Sequence, residues 1–274
     1  MTYEAKELSV EDGAIVELYT FKIGSFIWNF NNSDHPVTVN GIMYSSTQIS
    51  RTSIKNNQDI SNAAITITVP FDNMFAKEYL DSPPSQEATL KVATIHETDT
   101  VKQMVIDWIG RVASVKFKDD VYVDIRCETI TTTLRRTLLR RNYQRQCPHL
   151  LYGSQCTVDR DDYSFVTPSF FFDGTFMVTA GMSDFGPNFF DGGYVEFDQE
   201  GFPLQRRFIT ITYPDIIVLD LAINLRAGVP VTATLFAGCD HTMTTCKSRF
   251  SNLDNFGGMP YIPTKNPLNG TAIF

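Results

Sequence analysis

Two-residue alternation of apolar and polar side chains is the feature that most limits what this chain can fold into. It runs through AIVELYTFKI (14–23), AAITITVPF (63–71), ATLKVATI (88–95), MVIDWIGRVASVKF (104–117) and VYVDIRCE (121–128). Successive residues of a strand point to opposite faces, so such a pattern buries one face and wets the other. Asn40-Gly41 inside VTVNGIMYSS is a strong short hairpin signal, because both residues tolerate positive φ. Asp119-Asp120 predicts a further turn. Convincing amphipathic helical periods are missing. The expectation is a mostly β protein, with an N-terminal antiparallel barrel or sandwich over residues 1–130.

Residues 131–146 change character to Thr, Leu and Arg, which places the junction there. Strands resume in YSFV (163–166), GTFMVTA (174–180), GYVEFDQ (193–199), QRRFITITYPDIIVLDLAI (205–223) and VPVTATLF (229–236). Pro214-Asp215 reads as a second hairpin turn. The second region, 131–274, is therefore also β. No internal repeat is visible.

The chain has 274 residues, 43% hydrophobic and 20% charged, enough to build a real core. No run reaches the roughly 18 apolar residues that a membrane helix needs, and DIIVLDLAI is short and charged. No stable membrane insertion is expected. MTYEAKELSVEDGA lacks the apolar centre of a signal peptide, so synthesis in a reducing cytosol is expected. A net charge of −8 argues against general nucleic-acid binding. One basic run, LRRTLLRRNYQR, carries Arg135, Arg136, Arg140, Arg141 and Arg145 just before a cysteine.

Four of the five cysteines form two local pairs, Cys147 and Cys156 in QCPHLLYGSQC and Cys239 and Cys246 in GCDHTMTTC. The second β region lies wholly between them, so the pairs bound its two ends. Pro148 suits the first turn of a short helix and Gly153 its end, which puts Cys147 at a helix N-terminal edge. TTCKSRFSNLDNFGG predicts a similar element, capped by Thr244 or Thr245. There Cys246, Phe250 and Leu253 share a face, and Gly257 and Gly258 are the stop. Helix N-termini favour thiolates. Three readings remain open from the spacing. A reducing compartment disfavours disulfides. Zinc is open, with His149 or His241 as substitute ligands, although the C-x8-C and C-x6-C gaps exceed the usual two to four. An iron–sulfur cluster suits wider gaps. Being anionic, it would need positive groups nearby, for which Arg140 and Arg141 are candidates.

Other sites are weak. The chain has four histidines, His35, His96, His149 and His241, with no nucleophile elbow, HExxH motif or phosphate loop. A Cys–His protease built on Cys156 or Cys239 lacks anything to orient the pair. DRDD (159–162) and FDGGYVEFDQEG (190–201) do not match a calcium loop and read as solvated turns. Phe170, Phe171 and Phe172 read as core and interface residues, and Cys127 as buried filler in a strand.

The motif C-P-x-x-L-Y-G-x-x-C, through Cys147, Pro148, Leu151, Tyr152, Gly153 and Cys156, resembles the phage tail-tip hub family. So does the closing run GCDHTMTTCKSRFSNLDNFGGMPYIP, through Gly238, Cys239, Asp240, Cys246, Phe250, Asn252, Asn255, Phe256, Gly257, Gly258, Pro260 and Pro263. That family includes the L-type tail-tip proteins of lambda-like long-tailed phages and the hub proteins of gene transfer agents. The resemblance is carried by residues 147–263. It implies a structural virion protein at the tail tip, assembled in the host cytoplasm, and no enzyme. The implied partners are its own copies in a homotrimer, the distal tail protein ring and a receptor-binding central hub or fibre protein. A tape-measure protein is a further one, and phage DNA passes only in transit. The resemblance also implies a structural [4Fe–4S] cluster on Cys147, Cys156, Cys239 and Cys246, with zinc as the alternative. Pro148, Gly153, Arg140, Arg141, Phe250, Asn252, Asn255, Phe256, Gly257 and Gly258 would support it. The long interval between the pairs is nearer the gene-transfer-agent type. The competing reading is an iron–sulfur or zinc enzyme with redox or hydrolytic activity, which would need an open metal position that four Cys ligands do not leave.

Overall fold

A computed structural model describes residues 6–7, 13–54, 64–80, 82–118, 121–135, 141–167, 169–223, 225 and 228–263. The chain divides into two compact units, residues 1–136 with 201–203, and residues 137–200 with 204–274.

The first unit is built on nine strands: β1 (Ile15–Ile23), β2 (Phe26–Asn31), β3 (Val37–Val39), β4 (Ile42–Ser46), β5 (Ser50–Arg51), β6 (Ile65–Pro70), β7 (Ala88–His96), β8 (Val105–Lys118) and β9 (Tyr122–Thr129). Their order is β3-β4-β2-β1-β7-β8-β9-β6-β5. All pairs are antiparallel except β2 with β4. The alternation is realised in β6, where Ile65, Ile67 and Val69 are buried and the residues between them are not. Cys127 is fully buried in β9, as its strand setting predicts.

A four-residue helix, α1 (Met74–Lys77), adds an aromatic plug to this core. The Asn73 side chain caps it by accepting from the Phe75 and Ala76 N–H groups at 3.0 and 3.2 Å. Phe75 then stacks on Phe21 with ring centroids 4.2 Å apart. The Asn40-Gly41 turn joins β3 to β4 with both residues at positive φ, 50° and 79°. The expected Asp119-Asp120 turn falls outside the described residues.

The expected antiparallel barrel or sandwich is realised in part, as a β sheet that stays open. Among the described residues β3 and β5 are the two ends of the sheet order and do not pair, so the sheet is an open half-barrel. Closure needs a ladder between the ends, and β5 offers only Ser50 and Arg51.

The second unit holds β10 (Ser164–Val166), β11 (Phe170–Asp173), β12 (Phe176–Thr179), β13 (Tyr194–Gln199), β14 (Gln205–Thr212), β15 (Ile216–Leu219) and β16 (Val231–Phe236), with one helix, α2 (Met243–Ser248). The order is β10-β16-β13-β14-β15-β12-β11, antiparallel throughout. The Pro214-Asp215 hairpin forms between β14 and β15, closed by Tyr213 N–H to Ile216 O at 2.7 Å. Its core is rich in phenylalanine: Phe170 and Phe172 both meet Phe197 edge-on, at 6.0 and 5.2 Å. Phe171 between them points the other way and is exposed.

Candidate functional site

Two irregular segments of the second unit, 141–163 before β10 and 237–263 after β16, carry the four paired cysteines. Backbone hydrogen bonds knit the segments together. Cys147 N–H donates to His241 O at 2.9 Å, and Met259 N–H to Gln144 O at 2.9 Å. The Tyr152 hydroxyl donates to Ala237 O at 2.8 Å, and the Arg145 side chain to Pro260 O at 3.2 Å.

Neither helix expected here forms as drawn from the sequence. CPHLLYG is a chain of turns, closed by Gly153 N–H to Leu150 O and then by Cys156 and Thr157 N–H to Gly153 O. Tyr152 sits at φ 62°, which no continuing helix allows. Cys147 therefore owes nothing to a helix N-terminus. In the second segment α2 is capped by Thr242, whose hydroxyl accepts from Thr245 N–H at 3.3 Å. Cys246 lies inside α2, while Phe250, Leu253, Gly257 and Gly258 lie beyond its end.

Cys147, Cys156, Cys239 and Cys246 nevertheless line one cavity, together with His149, His241, Thr242, Phe250 and Asn255. All four are free thiols; Cys246 is buried and the other three half-buried. Three of the sulfurs receive an N–H group: Cys147 from Gly257 N–H (3.4 Å), Cys239 from His241 N–H (3.3 Å) and Cys156 from the Asn252 amide (3.7 Å). The fourth, Cys246, donates its thiol to Asn252 O at 3.2 Å. Such donors stabilise sulfur as an anion.

Burial pushes the thiols of both Cys239 and Cys246 up. At Cys246 the other three cysteines raise it further by charge repulsion. At Cys239 the His241 N–H works against burial, and Asp240, Cys156 and Cys147 work with it. Four thiolates in one small space are thus mutually unfavourable unless a cationic centre joins them. Asp240 behaves oppositely: burial would raise it, but hydrogen bonds from the Thr242 backbone and hydroxyl outweigh that and hold its carboxyl low.

Glycines of the closing run are fixed by close approach. A Cβ on Gly257 would lie 2.4 Å from the His149 ring, and one on Gly258 would lie 2.5 Å from Arg145 O. A Cβ on Gly238 would meet Asp191 O at 1.8 Å. His149 is pinned in turn by Nδ1 to Asn255 O at 3.0 Å. Asn255 also reaches Thr157 and Asn252, at 2.9 and 2.7 Å. Phe250 is buried edge-on against Tyr163, centroids 4.9 Å apart, while Phe256 and Pro148 are half-buried. His241, Thr157 and Ser251 join Tyr152 at positive φ, so four non-glycine residues of the two segments hold costly conformations.

Arg141 donates to Gly257 O at 3.2 Å, bracing the glycine whose N–H serves Cys147. Arg140 lies outside the described residues. Sequence reasoning missed Arg249, which donates to Gly238 O (2.6 Å), Phe189 O (3.0 Å) and Asn188 O (3.2 Å) and lies over the Phe189 ring. Its position three residues after Cys246 was the available signal. It also missed Arg160, Arg206 and Arg207, which line a wider open cavity that shares Leu151, Cys239 and His241 with the cysteine cavity.

Among the described residues, no three His, Cys, Asp or Glu side chains are set to hold a single metal ion. The sulfurs ring a shared space without meeting at one point.

Comparison with known proteins gives two family matches. A family described as baseplate hub protein, N-terminal attachment domain, matches residues 15–159, just over half of the chain. One described as phage conserved hypothetical protein BR0599 matches residues 188–266. Each match contains one cysteine pair. The chain is 23% identical over 166 residues to an uncharacterized protein of Xylella fastidiosa (strain 9a5c), covering 56% of this chain and 34% of that protein. It thus spans about a third of that relative's length. Among solved structures it is similar to a chain of the virion of a native gene transfer agent particle, with a TM-score of 0.78 and 16% identity, over 100% of this chain and 99% of that one. That likeness establishes the fold.

Proposed function

Because this chain belongs to the baseplate hub protein family, by the attachment domain matched over residues 15–159, we propose that it is a structural tail-tip component joining a distal tail ring and tube to a receptor-binding hub. The family match carries this reading. The fold shared over its full length with a chain of a gene transfer agent virion supports it. We read residues 1–130 as the hub domain that attaches to the tail, and 131–274 as a β region pinned at the cysteine elements. The chain works as a homotrimer, since contacts around a closed ring satisfy one another. Its role is assembly, without catalysis. Contacts with a tape-measure protein, and DNA passing only in transit, belong to the same reading. No helix among the described residues is long and apolar enough to cross a membrane.

The metal belongs to the proposal as well. Four cysteines around one cavity support a [4Fe–4S] cluster, with zinc as the alternative. The donor set fits: four sulfurs, N–H groups on three of them, and arginines in the neighbouring cavity. Such a cluster supplies a four-thiolate cross-link with no iron position left for substrate. The test for place is cryo-electron microscopy of the particle; density for this chain away from the tail tip defeats the assignment. The test for metal is iron content and absorbance near roughly 400 nm, in the thiolate-to-iron charge-transfer region, on anaerobically prepared protein. One tightly held zinc and no iron defeats the cluster and leaves the hub assignment standing.

A further inference from the structure

The sheet of the first unit keeps its charges apart. In antiparallel sheets directly opposed residues share a face. One row on the polar face runs Ile27, Lys22, Thr89, Arg111, Glu128 across β2, β1, β7, β8 and β9. Asn29, Thr20, Lys91 and Ile109 flank it on one side. On the other side come Ser114, Arg126 and Thr66, then Lys116, Asp124 and Thr68, then Lys118 and Tyr122. The reverse of the sheet, with Phe21, Leu90, Ile125 and Ile67, is buried core. Lys22, Lys91, Arg111, Lys116, Lys118 and Arg126 thus face only Asp124, Glu128 and the Glu87 that meets Arg111 at 3.1 Å. Arg111 and Lys118 occupy these carboxylates. Among the described residues, Lys22, Lys91, Lys116 and Arg126 form no ion pair. Carboxylates gather at the other end, where β1 begins. There Glu97 N–H donates to Ala14 O, and Glu97 and Asp34 both bond to His35. Glu7, Glu17, Asp99 and Asp107 lie around the same strand ends, against Lys6, Lys102 and Arg51. Arg51 is spent on Glu17, and His35 offsets one further carboxylate when protonated.

We propose that the basic face of one copy docks on the acidic end of the next copy's first unit. Lys22 pairs with Thr89, eight residues before Glu97, so the two ends lie roughly 27 Å apart at about 3.4 Å per residue. That exceeds the Debye length of about 10 Å, so within one copy the charges do not quench each other. A neighbouring copy brings them together. Basic face on basic face would set cations on cations, which rules out a two-fold contact through this surface. Basic face on acidic end is a contact between unlike surfaces, and repeated around an axis it closes a ring. The partner's chemistry follows from the same balance. With so many cations on one face, the rest of the chain is more acidic than its net −8, so a second copy is complementary where a nucleic acid is repelled. Ile27 and Ile109, 54% and 46% exposed, add apolar contact among the cations, and Asp34, 96% exposed, is free to be reached from outside.

This contact deepens the homotrimer proposed above and rests on that reading for the closed ring. Sedimentation velocity of the full chain over a wide concentration range tests it. The wild type is expected to associate reversibly at low salt and to dissociate as salt is raised to about 0.5 M. Arg126→Glu and Asp34→Lys are each expected to weaken association at least about tenfold, while Lys247→Glu, in α2 of the second unit, leaves it unchanged. Arg126→Gln, which keeps the side chain's reach and is milder for the fold, is expected to shift association the same way by less. Arg126→Glu and Asp34→Lys in one chain are expected to lose less than the two losses multiplied, because each supplies the charge that the other removed. Losses that simply multiply overturn the pairing of these two ends. Variants that associate as tightly as the wild type, or a wild type that stays monomeric at low salt, overturn the contact. The trimer is judged separately, by the number of copies around the axis in the particle. A chain that instead retains a DNA duplex through Arg126 without self-association overturns the second copy as the occupant.

Discussion

The side-chain nitrogen of Asn252 lies 3.7 Å from the sulfur of Cys156, although the two residues are 96 positions apart. The same amide also donates to the Cys156 carbonyl. Through its own backbone Asn252 holds Cys246 twice, accepting from the thiol at 3.2 Å and donating to the carbonyl at 3.1 Å. One residue thus ties a cysteine of the first pair to a cysteine of the second before any metal is considered. Asn252→Ala removes donors from partly buried acceptors, so a loss of about 1–3 kcal/mol is expected. Chemical denaturation measures it. Metal content of the purified variant is expected to fall as well.

Gly257→Ala is expected to destabilise by about 1–3 kcal/mol, the usual range for forcing an extra methyl into a packed site. The added methyl meets the His149 ring, which Asn255 holds in place. Adding His149→Ala to that variant is expected to recover part of the loss. Gly238→Ala has no such rescue, because its methyl meets the Asp191 backbone carbonyl. Thermal melts of the single and double variants separate the two cases.

Serine at any one of Cys147, Cys156, Cys239 or Cys246 is expected to lower iron content and particle assembly. Cys127→Ser is expected to retain both. Burial pushes the Cys127 thiol up to about 12, so it stays protonated and inert in the folded chain. Iodoacetamide labelling followed by mass spectrometry checks this: Cys127 is expected to label only after unfolding.

The first unit carries a pH-dependent contact. His35 lies 2.7 Å from Asp34 and also bonds to Glu97, and the hydrogen bonds to these two carboxylates raise its pKa above 6.5. A folded pKa above the unfolded one contributes stability that is complete below pH 6.5 and is lost as pH rises through the folded value. Denaturation midpoints are therefore expected to decline on the alkaline side of 6.5. His35→Gln is expected to flatten that decline. A decline unchanged in the variant assigns it to other groups.

The strands and hairpins were legible because they are written locally. Ile65, Ile67 and Val69 alternate in sequence and are buried in the same alternation, and Asn40-Gly41 turns where two residues must take positive φ. The gathering of the cysteines was legible only as two pairs with a resemblance. What places them is non-local: Gly257 N–H reaches Cys147 across 110 positions, and Arg249 holds carbonyls 11 to 61 positions away. Local rules also misplaced the helices. Pro148 and Gly153 suit a helical turn, yet Tyr152 at positive φ serves the Ala237 contact instead. Closure of the first sheet was unreadable too, because β3 and β5 are close in sequence and nothing local to either says whether the two end strands pair.

The incoming strand of the seven-stranded sheet, β10, and its outgoing strand, β16, are hydrogen-bonded neighbours, Ser164 opposite Phe236. The chain leaves and returns at the same place, with the cysteine segments immediately outside. Apart from residues 201–203, which group with the first unit, the part between Val166 and Val231 is therefore a cassette. Its strands can be lengthened, trimmed or exchanged without moving the two ends by which it is mounted. For tail proteins under pressure to follow changing neighbours, such a mount separates what must stay constant from what is free to diverge. For engineering, it marks the β14–β15 hairpin tip at Pro214-Asp215 as a place to graft new sequence far along the chain from the cysteines.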